Sequence, residues 1–163
     1  MTTIRTATLH HEGHSRFTTT TGSGRTFVWG DDVAANEMSP METVTVALGA
    51  CSAMDVISIA RKKRQSIERY LIHVHGEQRD EYPQVLTRVD VTHEIHGPNI
   101  DEGAIRRCIE LSATKYCPVN AMLSAGATEV HHRYIVRNTG PAQFQAEGEV
   151  IITGPWRRPD IVE

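Results

Sequence analysis

The chain has 163 residues, 39% hydrophobic and 23% charged, with a formal charge of -3, which is one domain's worth and enough to bury a core of its own. That charge, with no basic stripe apart from residues 61–64, argues against a nucleic-acid surface, and the start MTTIRTATLHHEGH carries no apolar signal segment. No stretch reads as a membrane span, and three cysteines without a C-x-x-C form neither a secreted disulfide framework nor a zinc knuckle. The expectation is a soluble, cytoplasmic protein, without membrane or nucleic-acid partners, in which paired thiols are catalytic rather than structural.

In chain order, residues 4–11, 16–21 and 25–29 have strand composition and are separated by His11-Glu12-Gly13-His14 and Gly22-Ser23-Gly24, which predicts a three-stranded antiparallel meander within residues 4–30. A loop at 31–38 leads to a long helix at 39–64. Ser39 caps it, Pro40 sits where a missing N–H costs nothing, and Glu42 completes an S-x-x-E capping box. Val44, Val46, Ala47, Leu48, Ala50, Met54, Val56, Ile57 and Ile59 leave it almost no polar face, so burial on most sides is expected. Arg61, Lys62, Lys63 and Arg64 suit the carbonyl end of its dipole.

Two strands follow within residues 70–96. The second alternates most clearly, with Val85, Thr87, Val89, Val91 and Ile95 on one side and Arg88, Asp90, Thr92 and Glu94 on the other. Asn99 followed by Glu102 reads as the start of a helix whose stripe Ile105, Cys108, Ile109 and Ser112 turns Cys108 to the core. Tyr116-Cys117-Pro118 breaks that helix, since the residue before a proline is pushed from helical geometry, and a short helix restarts at Pro118 to end near Gly126. Residues 128–137 read as a strand, and the tail 138–163 adds one more at 148–153. This order makes a single α+β domain over 1–163 with a mainly antiparallel sheet. A helix apolar nearly all round is hard to bury under one small sheet, which suggests a partner subunit.

Cys51, in the interior of the long helix, reads either as a small buried hydrophobe or as a reactive thiol. Cys117, at a helix start, lies where free amides and the positive dipole end stabilise a thiolate. Asp55, one turn after Cys51, is an expensive carboxylate in an apolar helix unless paired, and a structural salt bridge is the reading favoured for it. Of the nine histidines, His73 and His75 on one strand with His131 and His132 on another offer a conceivable metal site, although no cysteine or carboxylate stands at ligand spacing beside them.

The motifs Pro40-Met41-Glu42, Ala47-Leu48-Gly49-Ala50-Cys51, Met54-Asp55-Val56-Ile57, Ser112 and Lys115-Tyr116-Cys117-Pro118-Val119 resemble the OsmC/Ohr family of osmotically induced and organic-hydroperoxide-resistance proteins. The resemblance covers roughly residues 5 to 137 and looks closest to the branch with Asp-Val in its first cysteine motif. It implies an intertwined homodimer with paired long helices at the centre and active sites at the subunit interface. It further implies a thiol-dependent peroxidase for organic hydroperoxides, with Cys51 peroxidatic, Cys117 resolving through an intramolecular disulfide, a dithiol reductant such as a lipoyl-type dithiol, and neither cofactor nor metal. In the family an arginine from the N-terminal strands and a glutamate at the start of the long helix activate the first cysteine. Arg16 stands nearest the arginine's place, with Arg25 the alternative. The family glutamate lies ten residues before the cysteine, where this chain has Met41; Glu42 is nine before, a rotation of ~100° about the helix, so Glu42 is read both as a site residue and as a cap alone. An OsmC-like stress or small-molecule-binding protein without turnover is the competing reading.

Overall fold

The computed structural model describes residues 2–32 and 37–155; residues 33–36 of the loop expected at 31–38, and the end of the tail after 155, lie outside them. The chain divides into two compact units, Met1–Val44 and Thr45–Glu163.

The first unit is the expected meander. Strands β1 (Ala7–Gly13), β2 (Arg16–Thr21) and β3 (Thr26–Trp29) pair antiparallel in that order. The β1–β2 turn needs left-handed backbone at Gly13 (φ 110) and His14 (φ 47), a conformation that glycine adopts without steric cost and that histidine tolerates better than β-branched residues do. Thr19, buried on β2, receives the indole N–H of Trp29.

Helix α1 (Pro40–Lys62) begins as its capping box predicts. Ser39 N–H donates to Glu42 Oε2 at 2.8 Å, and Glu42 N–H donates to Ser39 Oγ at 3.2 Å. Arg64, with φ 57, takes the left-handed conformation just past the last helical turn. Within one chain, burial of α1 is confined to Leu48, Gly49, Ser52, Val56 and Ala60, a stripe at i, i+4 spacing. One sheet covers one helix face, so Val46 stays 58% and Met54 74% exposed. Gly49 permits a close approach: a Cβ there would stand 2.9 Å from Val74 Cγ2 on the sheet. By length and composition α1 is long enough and apolar enough to cross a membrane, which corrects the expectation that no segment approaches a span.

The second unit carries a four-stranded sheet in the order β4 (Arg69–Gln78), β5 (Leu86–Gly97), β6 (Glu129–Asn138), β7 (Phe144–Thr153). The β4–β5 and β6–β7 pairs are antiparallel as expected, while β5 and β6 run parallel. Their crossover contains α2 (Glu102–Leu111), a π-helical turn (Ser112–Tyr116) and α3 (Pro118–Ser124); parallel neighbours require such a connection. The core joins Val56 and Ala60 of α1, Ile95 of β5, Ile105, Cys108 and Ile109 of α2, and Tyr134 and Val136 of β6. Cys108 therefore packs in the core as its stripe predicts.

Two local expectations are corrected. Asp101, not Asn99, caps α2: its Oδ1 accepts the Ala104 N–H at 2.6 Å, while Glu102 accepts the Tyr134 hydroxyl. On β5, Leu86 is buried and Thr87 exposed, because the register jumps from Gln78↔Leu86 to Glu77↔Arg88 and Thr87 is the bulged residue. Beyond the bulge the expected alternation holds, with His93 joining Val89, Val91 and Ile95 on the buried face.

Candidate active site

The break before Pro118 is what brings two cysteines together. The α2 stripe ends at Ser112, and the chain widens into the π turn that Cys117 closes by donating its N–H to the Ser112 carbonyl at 2.9 Å. Such turns recur at functional sites. Cys117 then leaves helical geometry (φ -74, ψ 104) and caps α3, its Sγ accepting the Asn120 N–H at 3.3 Å. The Cys117 and Cys51 sulfurs and a carboxylate oxygen of Asp55 all lie within 4.8 Å of one another. Asp55 is one helical turn from Cys51, on the same face of α1. All three cysteines are free thiols; Cys51 is half-buried and Cys117 buried.

The electrostatics of Cys117 reverse the sequence expectation. Burial pushes its thiol up to about 12; the Asn120 and Val119 amides pull down and the adjacent Cys51 pushes further up. Two amides at the end of a seven-residue helix do not offset the lost hydration, so Cys117 is a thiol at neutral pH. Asp55 also differs from expectation: among the described residues it has no cation within salt-bridge distance, and it accepts the Ser112 hydroxyl at 3.1 Å. Ser112 Oγ stands in turn 3.3 Å from the buried Ser52 Oγ. With its own proton committed to Asp55, Ser112 is the acceptor in that pair.

In the N-terminal unit, Arg16 forms an ion pair with Glu37, a carboxylate the sequence reading did not single out. Glu42 completes the cap of α1 with Ser39, and that contact holds its carboxyl below the ordinary range. The histidine cluster considered as a metal site is not assembled as such. His73 and His75 are exposed beside Glu94 and Glu77, while the neighbours His131 and His132 project to opposite faces of β6. Among the described residues, the donor group close enough together to hold a metal is instead Cys51, Asp55 and Cys117.

A buried polar chain runs inward from the site, and its direction follows from one end. Asn120 Nδ2 donates to the Ala113 carbonyl at 2.8 Å, so Oδ1 faces His132 Nε2 at 3.0 Å and that nitrogen carries a proton. His132 Nδ1 is then the bare nitrogen that accepts from His93 Nε2–H at 3.3 Å, and His93 Nδ1 accepts the Tyr70 hydroxyl at 2.6 Å. Every group is satisfied with both rings neutral. Burial holds His93 well below its ordinary range, assisted by His132, and pushes His132 down to about 4, assisted by His131. Sequence reading missed this chain; the one signal was His93 at core parity in the β5 alternation.

A family model described as OsmC-like protein matches residues 31–133, more than half the chain. The chain belongs to the OsmC-like family. Protein YhfA of Escherichia coli (strain K12) is 39% identical over 98 residues, which cover 60% of this chain and 72% of YhfA. A solved hypothetical protein from Aquifex aeolicus VF5 is 26% identical with a TM-score of 0.75, over 83% of this chain and 98% of that one. An organic hydroperoxide resistance protein from Elizabethkingia anophelis has a TM-score of 0.64 at 16% identity, over 85% of this chain and 99% of that one; at such identity the likeness shows the fold alone.

Proposed function

We propose that this OsmC-like protein is a thiol-dependent peroxidase for organic hydroperoxides, working in a reducing, cytoplasmic setting. The observation that carries this reading is the pair of free thiols, Cys51 and Cys117, with sulfurs within 4.8 Å. The Cys51 thiolate attacks the distal peroxide oxygen, the O–O bond breaks, and the alcohol leaves as Cys51 becomes a sulfenic acid. Cys117 condenses with it, forming an intramolecular disulfide and water. A dithiol, such as a lipoyl-type dithiol, then restores both thiols by exchange. The raised Cys117 thiol supports giving the first attack to Cys51. Arg16 is the cation this reading assigns to the Cys51 thiolate. Glu37 orients Arg16, and Glu42 fixes the start of the helix that carries Cys51.

A thiol count tests the reading. The reduced protein, with its three free cysteines, should titrate three thiols; after one equivalent of cumene hydroperoxide only Cys108 should remain reactive under denaturing conditions. Three thiols remaining overturns the peroxidase and leaves a binding protein on the same fold.

The same reading includes a homodimer, in which a second copy covers the face of α1 that carries Val46 and Met54. Burying a large apolar side chain is worth ~1.5–3 kcal/mol, and a helix face of several such positions does not stay in water without cost. Sedimentation at low micromolar concentration should give twice the 18.1 kDa of the chain, with no dissociation before unfolding. A stable 18.1 kDa species would refute it.

A further inference from the structure

Asp55 has no explanation as a structural ion pair, yet it occupies one of the most consequential positions in the molecule. It is half-buried on an apolar helix, and its carboxylate lies within 4.8 Å of both cysteine sulfurs. The Ser112 hydroxyl fixes it from the π turn whose end is Cys117, so one element delivers the second thiol and orients the carboxylate. We propose that Asp55 is the proton carrier of disulfide formation, taking the proton from Cys117 and giving it to the oxygen that leaves Cys51. This deepens the peroxidase reading and rests on it.

The step balances without any outside reagent. The Cys117 sulfur uses an electron pair to form the S–S bond as the S–O bond of the Cys51 sulfenic acid breaks. Cys117 is oxidised and the Cys51 sulfur reduced, both to the disulfide level. The proton released by Cys117 passes to Asp55, and from Asp55 to the departing hydroxide, which leaves as water. A carrier is needed because the attacking sulfur is buried and protonated at neutral pH, and hydroxide is a poor leaving group. One carboxylate near both sulfurs meets both demands, and hydrogen bonds of this kind tighten as the reacting groups close.

The test reads the two half-reactions separately by rapid mixing with cumene hydroperoxide, following sulfenic acid by dimedone trapping and the disulfide by loss of the second thiol. With Asp55 as carrier, the wild-type disulfide step is flat through the neutral range, since it does not wait on free Cys117 thiolate. In D55N the step slows at least ~100-fold at pH 7, the low end of what a positioned general acid–base group contributes, and dimedone-trappable Cys51 accumulates. Its rate then climbs about tenfold per pH unit, as attack by free Cys117 thiolate requires. D55E restores part of the plateau. A merely structural Asp55 would lower the rate without changing that slope. Should D55N not fold, the wild-type profile decides alone: a tenfold rise per unit through pH 6–8 overturns the proposal. Equal disulfide rates in D55N and wild type also overturn it. If wild type forms neither sulfenic acid nor disulfide, the peroxidase reading itself has failed.

Discussion

Cys51→Ser should consume no hydroperoxide, whereas Cys117→Ser should consume one equivalent and stop. A serine hydroxyl is not ionised at neutral pH and has no sulfur to take up the peroxide oxygen, so removing the nucleophile removes the reaction. Without Cys117 the sulfenic acid forms but lacks its partner. Only peroxide in excess of that equivalent drives it on, slowly, to sulfinic acid, which ordinary dithiols do not reduce. Multiple-turnover consumption in Cys117→Ser should therefore fall by ~100-fold or more after the first equivalent, which corresponds to ~2.7 kcal/mol in the barrier. Intact mass should show one added oxygen. Cys108→Ser should retain the wild-type stoichiometry, since that thiol packs in the core cluster with Ile105 and Ile109. If Cys51→Ser reacts and Cys117→Ser does not, the two roles are exchanged.

The features legible in the sequence are those that depend on a few neighbouring residues. The Ser39–Glu42 box, the break at Pro118 and the β5 alternation each have a local physical cause, and each appears where expected. The parallel β5–β6 pairing was not legible, because a period of two states which face a residue occupies and not which strand lies beside it. The choice of Asp101 over Asn99 turned on where the chain leaves extended geometry, a matter of one turn's register. The bulge at Thr87 escaped for a similar reason: alternation assumes an unbroken ladder, and one extra residue shifts everything before it.

The site was legible in its thiols and illegible in its environment. The family resemblance paired Cys51 with Cys117, but the acidity of Cys117 depended on a contest between helix-end amides and burial. Depth of burial is a property of the packed core, which local sequence does not state. Asp55 carried a correct warning, that a carboxylate on an apolar helix needs a partner, and the partner is a hydroxyl from the crossover rather than a cation. His93 and His132 stand 39 residues apart in sequence, and their contact exists only because β5 and β6 are neighbours.

That buried pair has a large consequence for acid stability. His132 is pushed from its ordinary 6.5 to about 4 in the folded protein, and His93 well below 6.5. Between those values the unfolded chain binds protons that the native state refuses, so the stability is fully present above pH ~6.5 and is lost as pH falls toward about 4. Each such proton costs about 1.4 kcal/mol per pH unit, so His132 alone removes on the order of 3 kcal/mol over its window, a large share of a typical domain's ~5–15 kcal/mol. Urea titrations at fixed pH should show the unfolding free energy falling as pH drops from 6 to 5, with a slope between those of one and two bound protons. Carboxylates held low by partners, such as Asp90 beside Arg88, act in the same direction but at lower pH, which leaves this interval to the histidines. His132→Gln removes the titrating ring and keeps an amide to meet Asn120; its slope should be shallower by about one proton. An unchanged slope in that variant would mean His132 is already charged in the folded protein. The chain from Tyr70 to Asn120 would then need a different set of donors and acceptors.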